Sequence, residues 1–174
     1  LIGPYVAWRT SQGKEDRARS RERYGMAGRP RPEGPLICMH AASVGETIAV
    51  VPVIESILDY VVNIVLTTGT VTSAQVAEER LGNRIIHQYV PLDLKPAVSR
   101  FLDHWRPDLA VIAESEIWPM TILELGARRG CPIAPFPRGA SAPGSPRRCS
   151  SISRWSWRRP RPTRSVFARS ARGR

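Results

Sequence analysis

The chain has 174 residues, with 26 Lys and Arg against 15 Asp and Glu and a formal net charge of +11, a balance that first suggests a polyanion-binding protein. The distribution excludes that reading for most of the molecule. Residues 1–130 hold 15 basic and all 15 acidic residues, whereas 131–174 hold 11 Arg, 7 of the 16 Pro and no acidic residue. The length suits one domain of ordinary size rather than two, and no run of 18 apolar residues is present to span a bilayer.

Residues 1–34 form a basic N-terminal segment, in which Arg9, Lys14, Arg17, Arg19, Arg21, Arg23, Arg29 and Arg31 oppose only Glu15, Asp16, Glu22 and Glu33. Two readings stand side by side: a solvated helix face with exposed ion pairs, or attraction to an anionic membrane surface. The chain begins at Leu1 rather than Met and reads as a piece lacking an upstream segment. Arg29-Pro30-Arg31-Pro32 then breaks any helix and leads into a strand.

From Leu36 short Val/Ile/Leu-rich runs alternate with segments of helical character. Strands are predicted at Leu36 to His40, Asn63 to Thr67, Arg84 to Tyr89 and Leu109 to Ala113. The helices fall at Glu46 to Tyr60, Ser73 to Leu81, Lys95 to His104 and Ile117 to Arg129. Strands apolar on both faces and joined by helical crossovers imply an α/β fold with a doubly wound, Rossmann-like parallel sheet over residues 35–130. Ligands of such sheets bind beyond the carboxyl ends of the strands, so the segments after each strand are expected to meet in one cleft. There Ser43, Gly45, Glu46, Thr68, Gly69, Glu114, Glu116 and Trp118 supply hydroxyls, carboxylates and an aromatic plane suited to a sugar.

Each motif also has a structural reading. Ser43 and Glu46 have capping-box spacing, yet a Glu at a helix N-terminus, kept ionised there, is placed to act as a general base, with Gly45 leaving the turn open. Thr70 to Ser73 reads as a helix cap, with Thr72 and Gln75 at capping-box spacing; a phosphate on the Gly69 turn is the alternative. Glu114 and Glu116, one residue apart on extended backbone, repel unless water, a cation or a ligand shares them. Trp118-Pro119 starts the next helix, as a packed aromatic or as a sugar platform. Cys38, Cys131 and Cys149 have neither an even count nor metal-type spacing, consistent with a reducing compartment and with Cys38 as a buried thiol. His40, His87 and His104 likewise lack the spacing of metal ligands, and no metal or cofactor is assigned.

The segments HAASVGET (His40 to Thr47), LTTGTVTSA (Leu66 to Ala74), IHQYVPLDL (Ile86 to Leu94), RFLDHWRPDLAV (Arg100 to Val111) and ESEIWP (Glu114 to Pro119) closely resemble the N-terminal domain of bacterial 3-deoxy-D-manno-octulosonic acid (Kdo) transferases. The resemblance runs from about Gly13 to Arg129. It implies the acceptor-binding half of a glycosyltransferase-B architecture, whose other half binds CMP-Kdo. It implies further that Kdo passes with inversion from CMP-Kdo to the lipid A precursor, in lipopolysaccharide biosynthesis at the cytoplasmic face of the inner membrane. By the same resemblance Glu46 is the general base and Glu116 a second catalytic carboxylate, while Ser43, Gly45, Thr68, Gly69, Glu114 and Trp118 border the acceptor.

After Arg129 the motifs stop. Residues 131–174 read as a disordered, Arg/Pro-rich tail of the kind an out-of-frame reading of a GC-rich gene yields, with the donor-binding domain absent and the chain inactive by itself. The alternative function is a binding module in which this tail, with Trp155 and Trp157 among its arginines, grips nucleic acid or membrane phosphates; a solvated tail with no nucleic-acid partner is the favoured expectation.

Overall fold

The computed structural model describes residues 8–9, 11, 13, 15–113 and 118–128, and the backbone of 133–136. Five parallel strands form the sheet: β1 (Leu36–Ala41), β2 (Asn63–Thr68), β3 (Ile86–Tyr89), β4 (Leu109–Ala113) and β5 (Ile133–Phe136). The connecting helices are α1 (Val44–Leu58), α2 (Val71–Leu81), α3 (Lys95–Trp105) and α4 (Pro119–Ala127). The strand order is β3-β2-β1-β4-β5. The chain thus winds outward from β1, crosses the sheet through α3, and winds outward again on the other side, which confirms the doubly wound α/β expectation.

The alternation of β1 explains the two layers. Ile37, Met39 and Ala41 face a core built with Val50 and Ile54 of α1 and Ala77 and Leu81 of α2. Leu36 and Cys38 face the opposite core, with Val98, Phe101, Leu102 and Trp105 of α3 and Leu125 of α4. All six β1 residues are buried, as a central strand covered on both faces requires. Cys38 is the buried thiol the sequence suggested.

Element bounds shift where side chains bond locally. The first helix begins at Val44 rather than Glu46 because Ser43 caps it. Arg84 stays with the end of α2, donating to the Arg80 carbonyl at 3.0 Å, so Gly82–Arg84 is a 3-10 turn and β3 starts only at Ile86. The expectation of a tail from residue 131 needs correction: Ile133–Phe136 is a strand, registered on β4 with Ala110 opposite Ile133 and Ile112 opposite Pro135. Pro135 is tolerated because β5 lies at the sheet edge, where a missing amide need break no ladder.

Among the described residues of the basic N-terminal segment, Ser20–Tyr24 forms a 3-10 turn, and four of the arginines bond within the fold. Arg9 and Arg23 both pair with Glu15 at 2.7 Å, and Arg31 donates to the Trp105 carbonyl at 2.7 Å. Arg19 pairs with Glu22 at 2.8 Å, and this pair closes the outer edge of β3. Arg19 donates to the His87 carbonyl at 2.9 Å while Glu22 accepts the Tyr89 amide at 2.7 Å. The ion pair thereby occupies backbone groups that another strand would otherwise seek. The turn ends at Gly25, with φ of 79°; a Cβ there would lie 2.0 Å from the Ala97 carbonyl oxygen, so only glycine lets the segment press onto α3. Arg17, Arg21 and Arg29 remain exposed.

Candidate functional site

In a sheet of this order, the connections after β1 and β4 depart to opposite faces, and the crevice between them is where open α/β sheets bind ligands. Here the two neighbours in question are β1 and β4. The structure brings Ser43, Gly45 and Glu46 to one side of that crevice and Trp118 to the other. His40, at the end of β1, meets Trp118 edge to face with ring centroids 5.8 Å apart. Glu114 and Glu116 lie outside the described residues.

Glu46 sits in the first turn of α1. Its Oε2 accepts the Ala42 amide at 2.6 Å, and its Oε1 accepts the Ser43 hydroxyl at 3.1 Å. Ser43 Oγ in turn accepts the Glu46 amide at 3.3 Å. This is a capping box shifted by one residue, because the carboxylate reaches the amide before the cap rather than that of the cap itself. The structural and chemical readings of Glu46 therefore coexist: two donors orient the carboxylate, and the residue is half-buried. Gly45 is helical, not an open turn. Among the described residues a Cβ added to it would meet only Ser43 Oγ, at 4.0 Å.

The β2 segment departs from the expected roles. Thr68 is fully buried and shares a 2.9 Å hydrogen bond with His87 Nε2, so it is not presented to a ligand as the acceptor-binding expectation required. The cap of α2 is Thr70, accepting the Ser73 amide at 3.1 Å, not Thr72. Gly69 is pressed against β1's connection, since a Cβ there would lie 2.7 Å from the Ala42 carbonyl oxygen.

His40 has a definable tautomer. Thr67 Oγ1 gives its proton to the Met39 carbonyl at 3.2 Å, so it must accept from His40 Nδ1 at 2.9 Å, leaving Nε2 as a bare acceptor. Burial lowers the His40 pKa to about 4 against the opposing pull of Glu46, so the ring is neutral at pH 7. His87 is lowered to about 4 as well, by burial and then by Arg19. Below His40 and Trp118 an apolar cavity of about 40 Å³, lined by Cys38, Val98, Phe101 and Leu125, has room for little more than a water or two, not a sugar ring. A larger cleft of about 640 Å³ runs beside β3 and is not lined by Ser43, Gly45, Glu46, His40 or Trp118. Among the described residues no cluster of three or more His, Cys, Asp or Glu is placed to hold a metal ion.

Two residues that organise the site were missed from sequence. Arg23, inside what read as a solvated basic run, is buried at the ends of β2 and β3, donating to the carbonyls of Gly69 at 2.6 Å and Val90 at 3.1 Å. Asp93 caps α4 from another element, accepting the amides of Met120 at 3.0 Å and Thr121 at 2.8 Å. Helix α4 has Trp118 as its N-cap and no side-chain cap of its own. The signal for Asp93 lay in that absence: Trp-Pro starts a helix without a local acceptor. Nothing in the local pattern distinguishes Arg23 from its basic neighbours.

The family model for 3-deoxy-D-manno-octulosonic-acid transferase (kdotransferase) matches residues 18–169. The match continues past Arg129, where the motif resemblance stops. A probable 3-deoxy-D-manno-octulosonic acid transferase, mitochondrial, of Arabidopsis thaliana is 39% identical over 125 residues, covering 71% of this chain and 28% of that protein. The 3-deoxy-D-manno-octulosonic acid transferase of Haemophilus influenzae is 39% identical over 133 residues, 74% of this chain and 31% of its own length. That of Rickettsia bellii is 36% identical over 114 residues, 64% and 27% respectively. The chain spans less than a third of the length of these relatives. With a doubly wound sheet whose switch point carries the HAASVGET segment, it belongs to the 3-deoxy-D-manno-octulosonic-acid transferase family and corresponds to its N-terminal domain.

Proposed function

We propose that this domain binds the acceptor sugar of a Kdo transfer and supplies its general base, Glu46. The observation that carries the reading is the placement of Glu46: a half-buried carboxylate at a helix N-terminus, fixed by the Ala42 amide and the Ser43 hydroxyl, at the sheet's switch point. The acceptor is the lipid A precursor and the donor is CMP-Kdo, held by a second domain. Glu46 takes the proton of the sugar hydroxyl as its oxygen bonds to the anomeric carbon of Kdo and the bond to the CMP phosphate breaks, inverting that centre. Trp118 offers the apolar plane on which the acceptor ring rests. Glu116, from the adjoining ESEIWP segment, is the second carboxylate. The work takes place on the cytoplasmic face of the inner membrane, where Arg17, Arg21 and Arg29 are free to meet anionic lipid.

The test joins this domain to the donor-binding half of the Haemophilus relative and measures Kdo transfer. Glu46→Gln preserves acceptors for the Ala42 amide but cannot take a proton, so turnover is expected to collapse with the fold intact. Undiminished turnover rejects the base assignment.

A further inference from the structure

We propose that Arg23 and Gly69 are positioning residues for Glu46, acting through the backbone of Ala42; the inference rests on the reading of Glu46 as the base. The carboxylate is held by a 2.6 Å bond from the Ala42 amide, so its place in the crevice follows wherever Ala42 goes. Ala42 is set from behind by Gly69. A Cβ at position 69 would stand 2.7 Å from the Ala42 carbonyl oxygen and 3.5 Å from its carbonyl carbon and Cα. These are backbone atoms, which cannot swing aside as a side-chain end can. Gly69 is needed there for close approach, and any side chain drives the β1 and β2 connections apart.

Gly69 is itself held by Arg23, whose Nη2 donates to its carbonyl at 2.6 Å. The same guanidinium donates to Val90 at 3.1 Å and forks onto Glu15 at 2.7 and 3.0 Å. The main chain of Arg23 is pinned in turn, its carbonyl accepting the Leu92 amide at 2.8 Å. At 6% exposure this cation is costly to bury unless nearly all of its donors are met, and a planar fork meets acceptors in several directions where an ammonium cannot. The contacts therefore run unbroken from the N-terminal segment to the carboxylate: Glu15 orients Arg23, Arg23 holds Gly69, Gly69 backs Ala42, and Ala42 holds Glu46. A residue outside the sheet thus governs the geometry of the site.

The experiment follows backbone amides of the full 174-residue chain by ¹⁵N-resolved hydrogen exchange in wild type, Gly69→Ala and Arg23→Lys. The Ala42 amide is expected to exchange about tenfold faster in both variants, while the Met39 and Val65 amides in the strand cores keep their rates. Uniform acceleration of all three amides assigns Arg23 and Gly69 a merely structural role and overturns the proposal, as does an unchanged Ala42 rate in either folded variant. Arg23→Lys carries the test should Gly69→Ala fail to fold. In the chimaeric transferase both variants are expected to lower kcat with KM for the acceptor little changed. If the Ala42 response is present but Glu46→Gln transfers Kdo normally, the base reading fails and the coupling between these residues stands.

Discussion

The two ends of the sheet use polar side chains for different purposes. At the end where the strands begin, Asp108 accepts the buried Leu36 amide at 2.9 Å, Asn63 donates to the Glu33 carbonyl at 2.8 Å, and Arg31 closes the end of α3. Each of these bonds satisfies a backbone group that the strands and helices leave unpaired, and none of the three side chains presents an oriented reactive group to a crevice. At the other end the same physical need is met around the carboxylate proposed as the base. Glu46, Arg23 and Asp93 bond backbone groups too, but together they tie the connections after β1, β2 and β3 and the start of α4 into one continuous arrangement around a half-buried carboxylate. The difference teaches that structural bonding and the proposed catalytic role are not competing explanations for Glu46: the bonds at the carboxyl end are what orient its carboxylate.

The largest effect is expected from Glu46→Gln. General-base loss is expected to cost about 10²–10⁴-fold in transfer by the chimaera, with urea midpoints of the isolated chain nearly unchanged because Gln still accepts the Ala42 amide. A fall in stability matching the fall in activity would make Glu46 a cap and nothing more.

Acid comes next. His40 and His87 have folded pKa values of about 4 against an ordinary value of 6.5, so the unfolded chain binds more protons between these limits. Their contribution is complete above pH 6.5 and is lost progressively as pH falls toward 4, on the order of 3 kcal/mol for the buried His40 alone. Urea denaturation from pH 7 to pH 4 checks this, and His40→Asn, which keeps a donor for Thr67, should flatten the slope. A midpoint independent of pH in the wild type would contradict the lowered pKa values of the two rings.

At the quiet end of the sheet, Asp108→Ala strips a buried amide of its acceptor and should cost about 1–3 kcal/mol of stability. Acceptor binding by the folded variant, measured by titration with micellar lipid A precursor, should not change. The smallest effect is expected from Thr70→Ala, which removes the α2 cap at a cost of about 1 kcal/mol, read from the urea midpoint. If Thr70→Ala weakened acceptor binding as strongly as Trp118→Ala, the β2 connection would hold ligand after all.

Strand and helix order, the parallel sheet and the position of Glu46 were all legible in the sequence, because apolar runs and cap spacings are local signals. HAASVGET announces both a helix start and a carboxylate at that start, since both follow from residues a few positions apart. Thr68, Gly45 and the basic N-terminal segment were read less well for the opposite reason. Whether a threonine faces ligand or the His87 ring, and whether an arginine meets lipid or the Gly69 carbonyl, depends on partners 19 and 46 residues away.

Periodicity and short-range hydrogen bonding were enough for the doubly wound α/β class, the two-sided burial of β1 and the capped carboxylate in the first turn of α1, whereas the strand order β3-β2-β1-β4-β5 came from the folded chain. Only the tertiary structure decided that β5 extends the sheet beyond the last family motif, that Asp93 caps a helix it does not precede, and that Arg23 is buried against two carbonyls. The physical reason is that a buried charge or an orphaned helix amide must find its partner wherever the folded chain brings one, and no pattern of neighbouring residues records where that is.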